Sequence, residues 1–355
     1  MNFESDVCMN SKKIAIVGAG AIGASVAVDL VLAGQDVTLV DQWTDHVQMI
    51  NKCGLKVSVD GKTFTAQVAA LHPSDLTGLR HQFDIAIIAV KAYDTRWTTE
   101  LILPHLSPGG YVVGMQNALC DEDIARSIDP ARIVSNVIEL SAEVFSPGEV
   151  VRNTSHAKTW FGVGVDKAEV DSNSAMRVGE VALLLKNVGR VATLDDVTAA
   201  KWTKLIANAM LLGPLGITGM RLGEALGING LREFLVAVGT EAIAIAADSG
   251  FSVEPVFGLS RDELLGSPEK ISRTLVDTLV KHIGPNALVA PAQDYKKGRQ
   301  TEVAAINGLI VRNGAHAGIP TPANKAIVDI DLRIRRGELS PGGANLGLAA
   351  RMAGV

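Results

Sequence analysis

The stretch Ile14-Ala15-Ile16-Val17-Gly18-Ala19-Gly20-Ala21-Ile22-Gly23, continued by the small and aliphatic run from Ala24 to Ala33 and then by Val37-Thr38-Leu39-Val40-Asp41, decides the fold. Four apolar residues of strand type lead into a Gly-x-Gly-x-x-Gly turn. A helix of small residues follows, Gly34 stops it, and a second apolar strand delivers a carboxylate. Such a strand–turn–helix presents backbone N–H groups at the helix N-terminus to a pyrophosphate, and glycines are needed because a Cβ would block that approach. A glycine fingerprint alone is weak evidence. The strand before it, the helix after it and an acid about 20 residues further on make it specific. Gly18, Gly20, Ala21, Ile22, Gly23 and Asp41 are therefore read as a dinucleotide site on a doubly wound α/β sheet.

Asp41 also speaks to which dinucleotide. A carboxylate at the end of the second strand accepts hydrogen bonds from the adenine-ribose hydroxyls and repels a 2′-phosphate. No lysine or arginine occurs between Lys13 and Lys52, so His46 is the one local group able to offset that repulsion. NAD is the expected cofactor, with NADP less favoured.

At 355 residues the chain is long enough for two domains. Its formal charge of −5 carries no basic cluster, which disfavours nucleic acid and anionic membranes as partners. The first dozen residues hold Glu4 and Asp6 but no apolar run of signal type, and no later stretch is an uninterrupted membrane-length span. Cys8, Cys53 and Cys120 are an odd, unpaired set, and the seven histidines form no H-x-x-x-H pair. A cytoplasmic protein without disulfides or a bound metal is expected.

Further strands are read at Ile85 to Val90, Tyr111 to Met115 and Ile133 to Ile138, with a hairpin around Asp60-Gly61 and antiparallel strands around Pro147-Gly148. Helices are expected at Thr95 to Leu103, Asp121 to Ser127 and Val178 to Leu185, which gives the alternation of a doubly wound sheet. From Val197 helical periodicity takes over, through Leu231 to Asp248, Ile271 to Lys281, Glu302 to Ala315 and Asn324 to Arg336. The expected organisation is a Rossmann-type domain over residues 1–193, an all-helical domain over 194–340, and a loosely held tail over 341–355.

In open α/β sheets ligands lie beyond the carboxyl ends of the strands. Lys91 and Asn117 stand directly after two apolar strands, where the ordinary readings are a solvated lysine and a turn asparagine. Their shared placement above the dinucleotide favours ligand contact instead. Cys120 is more simply a small buried hydrophobe. Downstream, Lys204 and Asn208 are four apart and share one helix face, and Glu302 would sit in the first turn of a helix starting near Thr301. Taken singly, these are a surface lysine and a first-turn acid.

Taken together, the glycine turn, Val90-Lys91-Ala92, Gln116-Asn117, Trp202-Thr203-Lys204-Leu205 with Asn208, and Thr301-Glu302 followed by Ile306-Asn307-Gly308 resemble the ketopantoate reductase family, from about Ile14 to Arg336. The resemblance implies a Rossmann domain followed by an all-α domain like the C-terminal domain of 6-phosphogluconate dehydrogenase, with the active site in the cleft between them. It implies Lys204 as the general acid and Glu302 as a substrate-binding or lysine-orienting carboxylate. Asn117 and Lys91 would lie near the nicotinamide and its ribose, and Asn208, with Asn117, in the substrate pocket. A homodimer is expected on the same ground. The long apolar run Leu231 to Ala247 is read equally as a pairing face or as the domain's own core.

The chain departs from the family pattern at the site's edges. Ala118-Leu119-Cys120 replaces a Gly-x-Gly, Leu212 stands where a second asparagine is common, Ala290 stands near a usual serine, and Asp41 replaces a basic or neutral residue. These changes touch substrate and cofactor and spare the residues of hydride transfer. The expectation is NAD-linked, reversible oxidoreduction of a small 2-hydroxy acid or secondary alcohol. The alternatives are NADPH-dependent ketopantoate reduction and a catalytically silent dinucleotide-binding sensor.

Overall fold

The computed structural model describes residues 12–80, 82–255 and 258–355. The chain divides into two compact units, one running to Gln116 and including Cys120–Val197, the other formed by Asn117–Leu119 with Thr198–Val355. Cys8 lies outside the described residues.

The first unit begins with β1 (Lys13–Val17), α1 (Ala21–Leu32), β2 (Asp36–Val40), α2 (Thr44–Cys53), β3 (Leu55–Val59), β4 (Lys62–Ala66), β5 (Ala69–Leu71) and β6 (Phe83–Ile88). It continues through α3 (Thr95–Ile102), β7 (Leu106–Gly114), α4 (Asp121–Ala125), β8 (Ile133–Glu139), β9 (Ala142–Ser146), β10 (Glu149–Arg152), β11 (Trp160–Gly164), α5 (Ser174–Leu185) and β12 (Arg190–Thr193). Eight of the strands form one sheet in the order β12-β11-β8-β7-β6-β1-β2-β5, parallel except where β11 meets β8. Its central strands are apolar on both faces because each face carries a core. One core packs Ile14, Ile16, Ile85, Ile87 and Val113 against α1 and α5, and the other packs Ala15, Val17, Ala86, Ile88 and Val112 with Ile102 and Ile124.

The antiparallel pair around Pro147-Gly148 is not an isolated hairpin. β10 also pairs in parallel with β3, giving a second sheet in the order β4-β3-β10-β9. α1 touches both sheets, and this explains its composition: residues Gly23 to Val28 and Leu30 are all buried, so small and aliphatic side chains are required almost all round. The Asp60-Gly61 turn has both residues at positive φ, +50° and +72°, the backbone of a tight two-residue hairpin.

The second unit is helical: α6 (Val197–Thr218), α7 (Leu222–Ala225), α8 (Leu231–Asp248), α9 (Pro268–Ile283), α10 (Ala290–Lys296), α11 (Asn307–Ala317), α12 (Pro322–Arg335) and α13 (Ala344–Ala353). α8 packs on α9, α11 and α12 and buries Phe234, Leu235, Val238, Ala242, Ile245 and Ala246, so its apolar run fills this unit's own core. Two expectations are corrected here. The segment after Pro341 is no loose tail: α13 packs on α12 and buries Leu346 and Ala349, while Asn345 donates to the carbonyls of Ile217 and Ser340 at 2.9 Å. Nor does a helix start near Thr301. Residues 301–306 form a turn and α11 begins at Asn307, because tertiary bonds described below hold the turn against its helical propensity. No helix among the described residues is long and apolar enough to cross a membrane.

Candidate functional site

The glycine turn joins β1 to α1 as the sequence requires. Gly18 has φ +101°, and a Cβ there would lie 2.9 Å from the backbone of Ala89, so only glycine fits between the two strands. A Cβ on Gly23 would meet the Gly18 carbonyl at 2.0 Å. Gly20 differs: a Cβ there would meet nothing within 4 Å. Its glycine is not demanded by packing, and no side chain caps the start of α1 at Ala21 and Ile22. An open space over unclaimed N–H groups at the positive end of a helix dipole suits a pyrophosphate.

Asp41 follows β2 and turns back on this loop. Its Oδ2 accepts from Ala19 N–H at 2.7 Å and its Oδ1 from Trp43 N–H at 2.8 Å, which fixes the carboxylate beside the turn and leaves each oxygen a further lone pair. His46 is fully buried, stacks on Trp43, and makes two backbone bonds. Gly148 N–H can only donate, so Nδ1 (2.8 Å) is the acceptor, and Nε2–H then donates to the Ala19 carbonyl at 2.9 Å. His46, the one local group able to offset the repulsion of a 2′-phosphate, holds the turn with both ring nitrogens.

Lys91 lies three residues beyond the carboxyl end of β6 and is half-buried at the start of a short 3₁₀ turn. The loop that carries it is held by Gln116, whose Nε2 donates to the Val90 carbonyl at 2.9 Å and to Thr95 Oγ1 at 2.8 Å. Gln116 is thus a positioning residue that reading the motif as Gln-Asn left without a role.

In the second unit α6 carries Lys204 and Asn208. Trp202 stacks on Phe251 and Thr203 Oγ1 accepts from Glu254 N–H at 2.8 Å, so the residues before half-buried Lys204 are anchors. Asn208 Nδ2 donates to Asn117 Oδ1 at 3.1 Å, bringing together two asparagines 91 residues apart in sequence. Ala118, next to Asn117, has φ +67°, the left-handed region where glycine is preferred.

Buried Glu302 lies in the 301–306 turn, and its carbonyl accepts from Ala305 and Ile306 N–H groups at 3.0 Å. The turn is pinned by Asp331 of α12, which is 2% exposed and accepts from Thr301 Oγ1 and Tyr295 Oη, both at 2.6 Å. Burial, with the Asp331 carboxylate beside it, pushes the Tyr295 phenol far above its ordinary value and keeps it a donor. At the other end Asn307 Nδ2 donates to the Ala209 carbonyl of α6 at 3.1 Å and to Asn324 Oδ1 at 2.9 Å. Asn324 in turn rests on Glu241, whose pKa burial raises. The Glu302 turn and the Lys204–Asn208 helix are thus tied within one unit. Tyr295 and Asp331 were not singled out from sequence, where a tyrosine and an aspartate on amphipathic helices give no signal. Cys120 is buried and Cys53 exposed, and among the described residues no group of acidic, histidine or cysteine side chains could hold a metal.

Comparison with known proteins places the chain in a family. The family model "Ketopantoate reductase PanE/ApbA" matches residues 14–165, and its C-terminal companion matches residues 196–331. The chain is 25% identical to the 2-dehydropantoate 2-reductase of Archaeoglobus fulgidus over 323 residues, covering 91% of this chain and 97% of that one. The Streptococcus pyogenes enzyme of the same name is 25% identical over 320 residues, covering 89% and 95%. Among solved structures, a D-mandelate dehydrogenase with NADH and anilino(oxo)acetate superposes with a TM-score of 0.79 at 22% identity, over 92% of this chain and 99% of that one. A PanE/ApbA family ketopantoate reductase from Ralstonia eutropha JMP134 gives 0.75 at 26% identity over the same shares. With both halves of the family matched in order along most of its length, the chain belongs to the ketopantoate reductase family and is, by that membership, a nicotinamide-dependent oxidoreductase.

Proposed function

We propose that the chain catalyses reversible, NAD-linked hydride transfer between a small 2-hydroxy acid or secondary alcohol and its ketone. The observation that carries the cofactor preference is the Asp41 carboxylate fixed on Ala19 N–H, with both ring nitrogens of the nearby His46 hydrogen-bonded to backbone groups. A 2′-phosphate would meet this carboxylate with no cation from the Lys13–Lys52 window to balance it. Gly18, Gly20, Ala21, Ile22 and Gly23 hold the pyrophosphate, and Lys91 and Asn117 face the nicotinamide half.

The bound nicotinamide supplies the hydride to the carbonyl carbon, or takes it back. As the carbon–oxygen π bond opens, the oxygen becomes an alkoxide. The Lys204 ammonium stabilises that charge and delivers its proton, and in the oxidative direction neutral Lys204 removes it. Glu302 orients Lys204 or the substrate's polar end, and Asn208, fixed on Asn117, offers an amide to the substrate. Leu212 and Ala290 stand where hydrogen-bonding side chains are common in the family, which favours a less hydroxylated substrate. The NADH-bound D-mandelate dehydrogenase, a protein named for a 2-hydroxy acid, supports the same choice. A homodimer is proposed by likeness to the dimeric ketopantoate reductase of Staphylococcus aureus. The second reading, NADPH-dependent reduction of 2-dehydropantoate, rests on the name its curated relatives carry.

Fluorescence titration with NADH and NADPH, followed by a screen of 2-hydroxy acids and secondary alcohols for NADH formation, tests the proposal. NADH is expected to bind about tenfold more tightly or better, a difference of about 1.4 kcal/mol. Tighter NADPH binding together with fast turnover of 2-dehydropantoate would establish the second reading. With the true substrate in hand, Lys204→Ala is expected to lower kcat by about 10²–10⁴ while NADH still binds.

A further inference from the structure

Of the lysines among the described residues only Lys201 is buried, at 5% exposed. It stands in the second turn of α6, and the hydride transfer set out above makes no use of it. Three electrostatic costs meet at this position. Burial strips water from an ammonium, the opening turns of a helix are the positive end of its dipole, and Lys204 sets a second cation three residues on. Each cost falls when an anion is near. A leucine or methionine would fill the same space and carry none of them, so a lysine here calls for an account.

Helix geometry supplies one. At 3.6 residues per turn, Lys201, Lys204 and Asn208 fall within about 60° of arc, with Lys204 about 4.5 Å beyond Lys201 along the axis. What this side of α6 meets is settled by a contact, since Asn208 Nδ2 donates to Asn117 Oδ1 at 3.1 Å. Nor is the side sealed, because Lys204 is half-buried. A lysine beside such an opening buries its carbon stem and leads its ammonium toward the margin. Lys201 and Lys204 therefore form a pair of cations on adjacent turns, beside the asparagine pair.

We infer that Lys201 binds the carboxylate of the substrate, which makes the substrate a 2-hydroxy acid rather than a neutral secondary alcohol. The inference rests on the proposed hydride transfer, with Lys204 at the reacting oxygen. In a 2-hydroxy acid the carboxylate carbon is bonded to the carbon that gives up hydride, so anion and hydroxyl are neighbours, as the two lysines are. Lys204 meets the hydroxyl, Asn208 is neutral and Glu302 is itself an anion. Lys201 supplies the opposite charge, in a charge-assisted bond stronger than a neutral amide could make.

The test is calorimetric titration of the NADH-loaded protein with oxamate, a 2-oxo acid mimic, and with its neutral methyl ester. Wild type is expected to bind oxamate at least about tenfold more tightly than the ester. Lys201→Met keeps the stem and removes the charge. It is expected to lose that preference, to hold NADH as before, and to melt no lower than wild type. With the acid found in the substrate screen, its KM should rise while kcat changes little, whereas Lys204→Ala lowers kcat. A preference undiminished in Lys201→Met would overturn the inference and mark Lys201 as an ion-pair partner within the fold. Loss of NADH binding in that variant would place the anion on the cofactor and overturn it as well. Equal affinity of wild type for oxamate and its ester would overturn it whatever the variant's folding. Wild type that binds no NADH would instead overturn the hydride-transfer reading.

Discussion

The Gly18–Gly23 turn of the first unit and the Thr301–Ile306 turn of the second are held by different means. At the glycine turn the carboxylate that braces Ala19 comes from Asp41, 22 residues on, and the ring beneath it from His46, 27 residues on. Gly148 and the backbone of Ala89 reach in from further along the chain. The second turn owes its form to side chains from other helices: Asp331 of α12 and Tyr295 of α10 at one end, Ala209 of α6 and Asn324 of α12 at the other. The first turn is built by backbone sterics, the second by buried polar bonds. A turn of the first kind should tolerate change wherever space is open, whereas one of the second kind should fail when a distant partner is lost.

The sharpest way to break this contrast is Asp331→Leu. It strands the Thr301 and Tyr295 hydroxyls in a buried setting, and urea denaturation is expected to register a loss of about 3 kcal/mol. Turnover should fall as well, because the segment carrying Glu302 is released. Asp331→Asn keeps an acceptor oxygen and should lose less. A Leu variant as stable as the parent would show that the turn holds itself, and the contrast would collapse.

The next test lies within the glycine turn. Gly20→Val fills open space, so melting should barely move while NADH binding weakens by about tenfold or more, a difference of about 1.4 kcal/mol. Gly18→Ala makes the control, since its Cβ meets the Ala89 backbone at 2.9 Å and stability itself should drop. If Gly20→Val unfolds the protein, Gly20 serves packing and the open space is not a phosphate cradle.

The smallest effect is expected at Ala118, held at φ +67°. Ala118→Gly relieves left-handed strain and should stabilise the protein by about 1 kcal/mol, read as a rise in the denaturation midpoint. A neutral or destabilising result would mean that the Ala118 methyl, which is buried, contributes packing that offsets its strain.

Much of the first unit was legible because its signals are short in range. Continuous apolar runs mark strands buried on both faces, Gly18 and Gly23 mark close backbone approach, and Asp60-Gly61 marks a hairpin. The helical run Leu231–Asp248 was equally plain from periodicity and its glycine stop. The sequence was misleading where polar side chains meet partners far along the chain. Glu302 reads as a first-turn helix acid until Thr301 and Asn307 are seen bonded to Asp331 and Ala209. The Gly- and Ala-rich tail reads as loose until Asn345 is seen holding the carbonyl of Ile217. His46 reads as a group able to meet a 2′-phosphate until both ring nitrogens are found bonded to backbone groups.

By itself the sequence determined the central strands, the glycine turn and the acid at its side, because apolar periodicity and steric need at glycine are written in neighbouring residues. Tertiary structure alone decided which polar groups are satisfied. It closed His46, pinned Thr301 and left Asn136 with its amide idle, since hydrogen-bond partners are chosen by distance in space and a linear sequence records none.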